Sequence, residues 1–151
     1  MELERSNVQL HARVGSKVDA IRAAGSLLVA SQYTQPGYID SMLAREKVAN
    51  TFLGNGIAIP HGLPKDRELI NRTGIAVLQV PDGVTWNRDE TVFLVVAIAA
   101  RSDEHIGILA NLTNVLTDEE TVHRLAKTDD PQDIIRALSG ERAARPAPAE
   151  E

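Results

Sequence analysis

The chain holds four histidines, His11, His61, His105 and His123, and no cysteine. Without cysteine there is no thiol nucleophile, disulfide staple or zinc ribbon, so reactivity is sought first at imidazoles. His61 follows Ile57-Ala58-Ile59-Pro60 and precedes Gly62, which places it at the carboxyl end of a short strand. Ligands of open α/β sheets tend to meet the protein beyond such strand ends. Pro60 has a fixed φ and forces Ile59 to be extended, and together they aim the imidazole. Gly62 lets another molecule's backbone come close. His105 falls in the first turn of a helix that begins after Ser102, where free amides and the positive dipole end favour an anion and disfavour a charged ring. A neutral imidazole there still donates one hydrogen bond. Arg45 closes an earlier helix in Ala44-Arg45-Glu46-Lys47. Spacing alone leaves each of the three open: His61 also reads as a turn residue without a role, His105 as a helix-start residue, and Arg45 as a solvated charge. His123, beside Arg124 in ETVHRLAK, and His11, in a polar stretch, read as solvated.

These residues need a scaffold, and the hydrophobic pattern supplies one. Ser16, with Asp19 three residues on, has the form of a capping box opening a first helix, whose stripe is Val18, Ile21, Gly25 and Leu28. After Pro36-Gly37, residues Tyr38 to Lys47 form a second helix with Ile39, Met42 and Leu43 on one face. Phe52 to Gly62 fits a short strand flanked by turns, and Thr73 to Val80 is a second strand. Pro81-Asp82-Gly83 is a turn signal, and Thr91 to Ala100 is a strand apolar on both faces, which belongs between layers of helices. A helix follows from Ser102, another opens at Thr117 with Glu120 as its capping partner, and a last short one begins at Asp130-Pro131. The fold class is therefore α/β: a single-domain sandwich with a central mixed β-sheet flanked by helices, spanning 1–139. From Gly140 the string GERAARPAPAEE loses apolar periodicity, and 140–151 is expected to be a disordered tail.

Composition narrows the functional classes. At 151 residues, with 43% hydrophobic and 25% charged residues, the chain has the make-up of one globular domain. Aromatics are only 3%, too few for the base-stacking platforms of single-strand binders. The net charge of −5 attracts neither a phosphate backbone nor an anionic membrane, so nucleic acid is not expected as a partner. The N-terminus lacks a signal-peptide core and the longest apolar run, Val92 to Ala100, is too short to span a bilayer, so a cytoplasmic protein with no membrane insertion is expected. No His-x-x-x-His and no clustered carboxylate lies near His61 in sequence, so neither metal nor cofactor is expected.

Three longer strings are far more specific than these spacings. LAREKVANTFLG (Leu43 to Gly54), NTFLGNGIAIPHG (Asn50 to Gly62) and ARSDEHIGILANLTNVL (Ala100 to Leu116) resemble the IIA domain of the mannitol–fructose class in the bacterial phosphoenolpyruvate-dependent sugar phosphotransferase system. The mannitol branch fits best, and the resemblance runs from about Gly15 to about Leu138, leaving the first dozen residues and the tail outside. It implies a mixed sheet flanked by helices, a phosphohistidine at His61 of the PHG motif, a neighbouring histidine at His105 and a supporting arginine at Arg45 of the REK segment. It implies a phosphocarrier that takes its phosphoryl group from HPr and passes it to a cysteine of a mannitol-type IIB or IICB component. With no membrane or IIB segment here, a separate IIA protein is expected. A regulatory protein resembling the nitrogen-related branch, signalling by its phosphorylation state, is the alternative. A metal hydrolase using His61 and His105 lacks a third ligand in the sequence.

Overall fold

A computed structural model describes residues 3–101, 110 and 112–138. Five strands form one sheet: β1 (Val8–Gln9), β2 (Phe52–Gly54), β3 (Ile57–Ala58), β4 (Gly74–Thr85) and β5 (Thr91–Ala99). Their order is β1-β4-β5-β3-β2. The β1–β4 and β3–β5 pairs are parallel, while β4–β5 and β2–β3 are antiparallel, so the sheet is mixed as the sequence predicts. The helices are α1 (Lys17–Ala30), α2 (Tyr38–Val48), α3 (Glu119–Lys127) and α4 (Pro131–Leu138), with residues 112–116 also helical.

Strand alternation sorts the apolar run of β5 onto two cores. Val95, Ala97 and Ala99, with Ala76, Leu78 and Val80 of β4, bury against Ile21, Ala24 and Leu28 of α1 and Met42 of α2. Leu94, Val96 and Ile98, with Ile75 and Val77, bury against Leu112, Leu116, Leu125 and Ile134 on the other face. A strand covered on both sides has no need of polar residues, which accounts for the unbroken hydrophobic stretch.

Local signals behave unevenly. Ser16 caps α1 by accepting from the Asp19 amide at 3.1 Å, as its spacing predicts. Val18, assigned to the helical stripe, is 46% exposed, and in the first turn Ala20 is the buried residue instead. In α2 the buried face is Tyr38, Ser41, Met42 and Glu46, rotated from the expected Ile39-Met42-Leu43 face. Thr117 does not cap α3. The cap is Asp118, whose carboxylate accepts from the Glu120 amide and the Thr121 hydroxyl, while Thr117 turns its hydroxyl to the Asn114 carbonyl. These bonds hold the Asp118 carboxyl below its usual range.

Pro81-Asp82-Gly83 is not the hairpin turn. β4 runs through it to Thr85, and the chain reverses between Trp86 and Glu90, whose backbone bond is 2.8 Å. Between Gln79↔Leu94 and Val84↔Val92 the register slips, so the tripeptide is a bulge within the pair. Gly83 adopts φ +84° there, and a Cβ would meet Thr91 Cγ2 at 2.5 Å. Gly83→Ala is therefore expected to destabilise the fold by at least ~1 kcal/mol through left-handed strain and overpacking. Urea unfolding measures it, and an unchanged midpoint would show that the bulge relaxes freely.

Three elements escape the sequence pattern. The reading of Phe52 to Gly62 as one strand misses a hairpin, β2–β3, which turns through Gly54, Asn55 and Gly56, all at positive φ. β1 lies within the first dozen residues and pairs with β4. A 3-10 segment covers Pro64–Leu69. The expected tail, 140–151, and most of the expected helix from Ser102 lie outside the described residues.

Candidate functional site

The parallel β3–β5 pair sets the position of His61. Pairing continues past β3: the Pro60 carbonyl accepts from the Ile98 amide at 3.0 Å, and His61 bridges to Ile98. Proline loses nothing here because only its carbonyl is used. His61 thus stands half-buried where β3 and β5 end together. Its Nδ1 lies 2.9 Å from the Ile59 carbonyl oxygen. A carbonyl only accepts, so in the neutral ring Nδ1 carries the hydrogen and Nε2 the lone pair.

An open cavity of about 170 Å³ lies over this strand end, lined by His61 with Arg45, Tyr38, Leu63, Arg67 and Ala100 among others. Two of the three expected residues, His61 and Arg45, therefore meet. His105 lies outside the described residues. Arg45, in the last turn of α2, donates from Nη1 to the Ala49 carbonyl at 2.6 Å. That bond satisfies a carbonyl at the helix end and steadies the guanidinium at the cavity edge.

Sequence reasoning passed over three side chains that build this site. Arg67, on the 3-10 segment, is an exposed second cation on the cavity wall. Tyr38 and Ser41 of α2 hold the backbone after the histidine: the Gly62 amide donates to Tyr38 Oη at 2.8 Å and the Leu63 amide to Ser41 Oγ at 2.8 Å. Tyr38 in turn donates to the Ile98 carbonyl at 2.9 Å. Burial pushes the Tyr38 phenol up to about 12, so it keeps its proton and remains a donor throughout the usable pH range. The Asp66 carboxyl is held below its usual range, chiefly by the Ser41 hydroxyl and then by Lys65. The only sequence signal for this pair was their three-residue spacing on α2.

Histidine beneath a cavity walled by two arginines is an arrangement for anionic groups. Over residues 1–141 the sequence matches the family described as phosphoenolpyruvate-dependent sugar phosphotransferase system, EIIA 2. The chain belongs to this family. The match begins at residue 1, earlier than the resemblance read from about Gly15, and β1 falls within its first dozen residues. The mannitol-specific phosphotransferase enzyme IIA component of Geobacillus stearothermophilus is 38% identical, over 91% of this chain and 94% of the relative. A multiphosphoryl transfer protein of Rhodobacter capsulatus is 58% identical over 89% of this chain, which spans only 16% of that relative's length. The Escherichia coli mannitol enzyme IIA, solved in complex with phosphorylated enzyme IIB, superimposes with a TM-score of 0.87 at 38% identity, covering 92% of this chain and 98% of that one. The mixed sheet of this EIIA chain is thus the fold of the mannitol enzyme IIA. Among the described residues, no helix is long and apolar enough to cross a membrane, and no group of three His, Asp or Glu side chains could hold a metal ion.

Proposed function

We propose that this EIIA chain is a cytoplasmic phosphocarrier that accepts a phosphoryl group from phospho-HPr on His61 and delivers it to a cysteine of a mannitol-type IIB component, for uptake of mannitol or a related sugar. The observation that carries the reading is the Nδ1 contact of His61 with the Ile59 carbonyl beneath a cavity shared with Arg45. The Nε2 lone pair attacks phosphorus as the donor's phosphorus–nitrogen bond breaks and its electron pair returns to the donor imidazole. Nδ1 keeps its hydrogen, and the Ile59 carbonyl stabilises the positive charge that the phosphorylated ring gains. Release reverses this: a thiolate attacks phosphorus and the bonding pair returns to Nε2. One high-energy bond replaces another, so positioning and charge stabilisation supply the catalysis. Arg45 fits the equatorial oxygens as a fork of paired donors, with Arg67 of the same cavity lining adding positive potential.

The test is stepwise reconstitution. With phosphoenolpyruvate, the general phosphotransferase enzyme and HPr, intact mass should rise by one phosphoryl group, and adding a mannitol-type IIB should discharge it onto cysteine. Labelling without discharge to any IIB would favour the regulatory alternative, and no labelling would end both readings.

His105 is proposed to donate to the transferring group without carrying it, because the helix start that the sequence predicts after Ser102 disfavours a charged ring. His105→Ala should still be phosphorylated at His61, with transfer slowed by roughly one to three orders of magnitude. His105→Gln should recover part of the loss. Rapid-quench transfer from phospho-HPr compares the three proteins, and an alanine variant at full rate would remove His105 from the site.

A further inference from the structure

The peptide that follows His61 is held by a pair of hydroxyls from a single helix. Gly62 and Leu63 are consecutive, and their amides donate to Tyr38 and Ser41, three residues apart on α2. Both hydroxyls sit in buried residues, 3% and 4% exposed, and Tyr38 passes the bond on to the Ile98 carbonyl of β5. The turn is therefore tied to α2 by both hydroxyls and to β5 through Tyr38. The fit is also steric. A Cβ on Gly62 would stand 2.5 Å from Tyr38 Cε1 and 2.8 Å from Ser41 Oγ, so the ring and the turn are in direct contact. Arg45 lies four residues beyond Ser41, one helical turn along the same helix.

Resting on His61 as the phosphoryl acceptor, we propose that Tyr38 and Ser41 are positioning residues for transfer: their hydroxyls lock the Gly62–Leu63 turn to α2 and so set the separation between the His61 imidazole and the Arg45 guanidinium. The same bonds commit both turn amides to protein hydroxyls. Phosphoryl oxygens are then met by side chains and not by this loop's backbone, which makes the histidine–arginine separation the quantity that matters. An error of about 1 Å in such a separation costs up to about a hundredfold in rate.

A double-mutant cycle tests this with rapid-quench transfer from phospho-HPr. Tyr38→Phe keeps the ring and removes only the hydroxyl, leaving the Gly62 amide and the Ile98 carbonyl unpaired. Its single-turnover rate should fall about tenfold to a hundredfold at saturating donor, with the donor KM unchanged within about twofold. Ser41→Ala, the milder change, should lower the rate about threefold to tenfold, and it serves if Tyr38→Phe fails to fold. In an Arg45→Ala background each substitution should cost less than about threefold, because no guanidinium remains to be placed. Equal penalties in both backgrounds would mark the hydroxyls as merely structural and overturn the proposal. So would full rates in the folded single variants, or a loss confined to KM. Wild-type protein that takes no phosphoryl group would instead overturn the assignment of His61, so the two failures are told apart.

Discussion

His61→Ala should abolish phosphorylation of this chain while leaving it folded. The imidazole is half-buried at the end of the β3–β5 pairing, and that pairing is made by backbone atoms of Pro60 and Ile98 that alanine does not disturb. Removing the side chain deletes the proposed nucleophile, and among the described residues lining the cavity nothing replaces it: an arginine is always charged, and the Tyr38 phenol is protonated up to about 12. Intact-mass spectrometry after incubation with phosphoenolpyruvate, the general enzyme and HPr should show one added phosphoryl group on wild type and none on the variant, a loss of at least about a thousandfold in initial rate. A fully labelled variant would move the acceptor elsewhere. His61→Gln makes a useful companion, since it retains a donor for the Ile59 carbonyl and still lacks a nucleophilic nitrogen.

The largest effect on stability should come from Glu46, next to Arg45 in sequence and only 7% exposed. Its carboxylate accepts from the Thr51 amide at 3.0 Å, the Thr51 hydroxyl at 2.7 Å and Trp86 Nε1 at 3.0 Å, and it pairs with Lys17 at 3.4 Å. Four segments meet on one side chain: α1, the end of α2, the approach to β2 and the β4–β5 hairpin. Lys17 also lies 5.7 Å from the Trp86 ring centre. Glu46→Ala strands buried donors on Thr51 and Trp86 and a half-covered ammonium, and should cost roughly 3–5 kcal/mol in urea unfolding. Glu46→Gln keeps one acceptor and should cost less, about 1–3 kcal/mol. A loss under ~1 kcal/mol for the alanine variant would mean that water replaces the carboxylate. Because Arg45 bonds the Ala49 carbonyl at the head of the same loop, Glu46→Ala should slow phosphoryl transfer as well.

Much of the molecule was legible from local rules. Pro60 before His61 and Gly62 after it restrict the backbone whatever surrounds them, so the presentation of the histidine at a strand end could be read directly. The Ser16 cap and the doubly apolar run of β5 are equally local, and the run led to helices on both faces of the sheet. The mixed pairing was read from Pro81-Asp82-Gly83 as a turn, and the antiparallel β4–β5 pair is there although the chain reverses further on. Tertiary structure decided the rest, wherever partners are distant in the chain. Pro81-Asp82-Gly83 has the composition of a turn, yet cross-strand pairing with Val92 and Leu94 makes it a bulge, because long ladders outweigh local turn propensity. β1 is two residues long and exists only because β4 offers it an edge, so no periodicity announces it. Nothing local marks Glu46 apart from its neighbours in Ala44-Arg45-Glu46-Lys47; Trp86, 40 residues on, donates to its carboxylate. Tyr38 and Ser41 read as ordinary helix residues until the turn after His61 folds back onto them, 24 and 22 residues later. The presentation of His61 was visible because its constraints are local, whereas the groups that hold the turn after it became visible only when the chain returned to meet them.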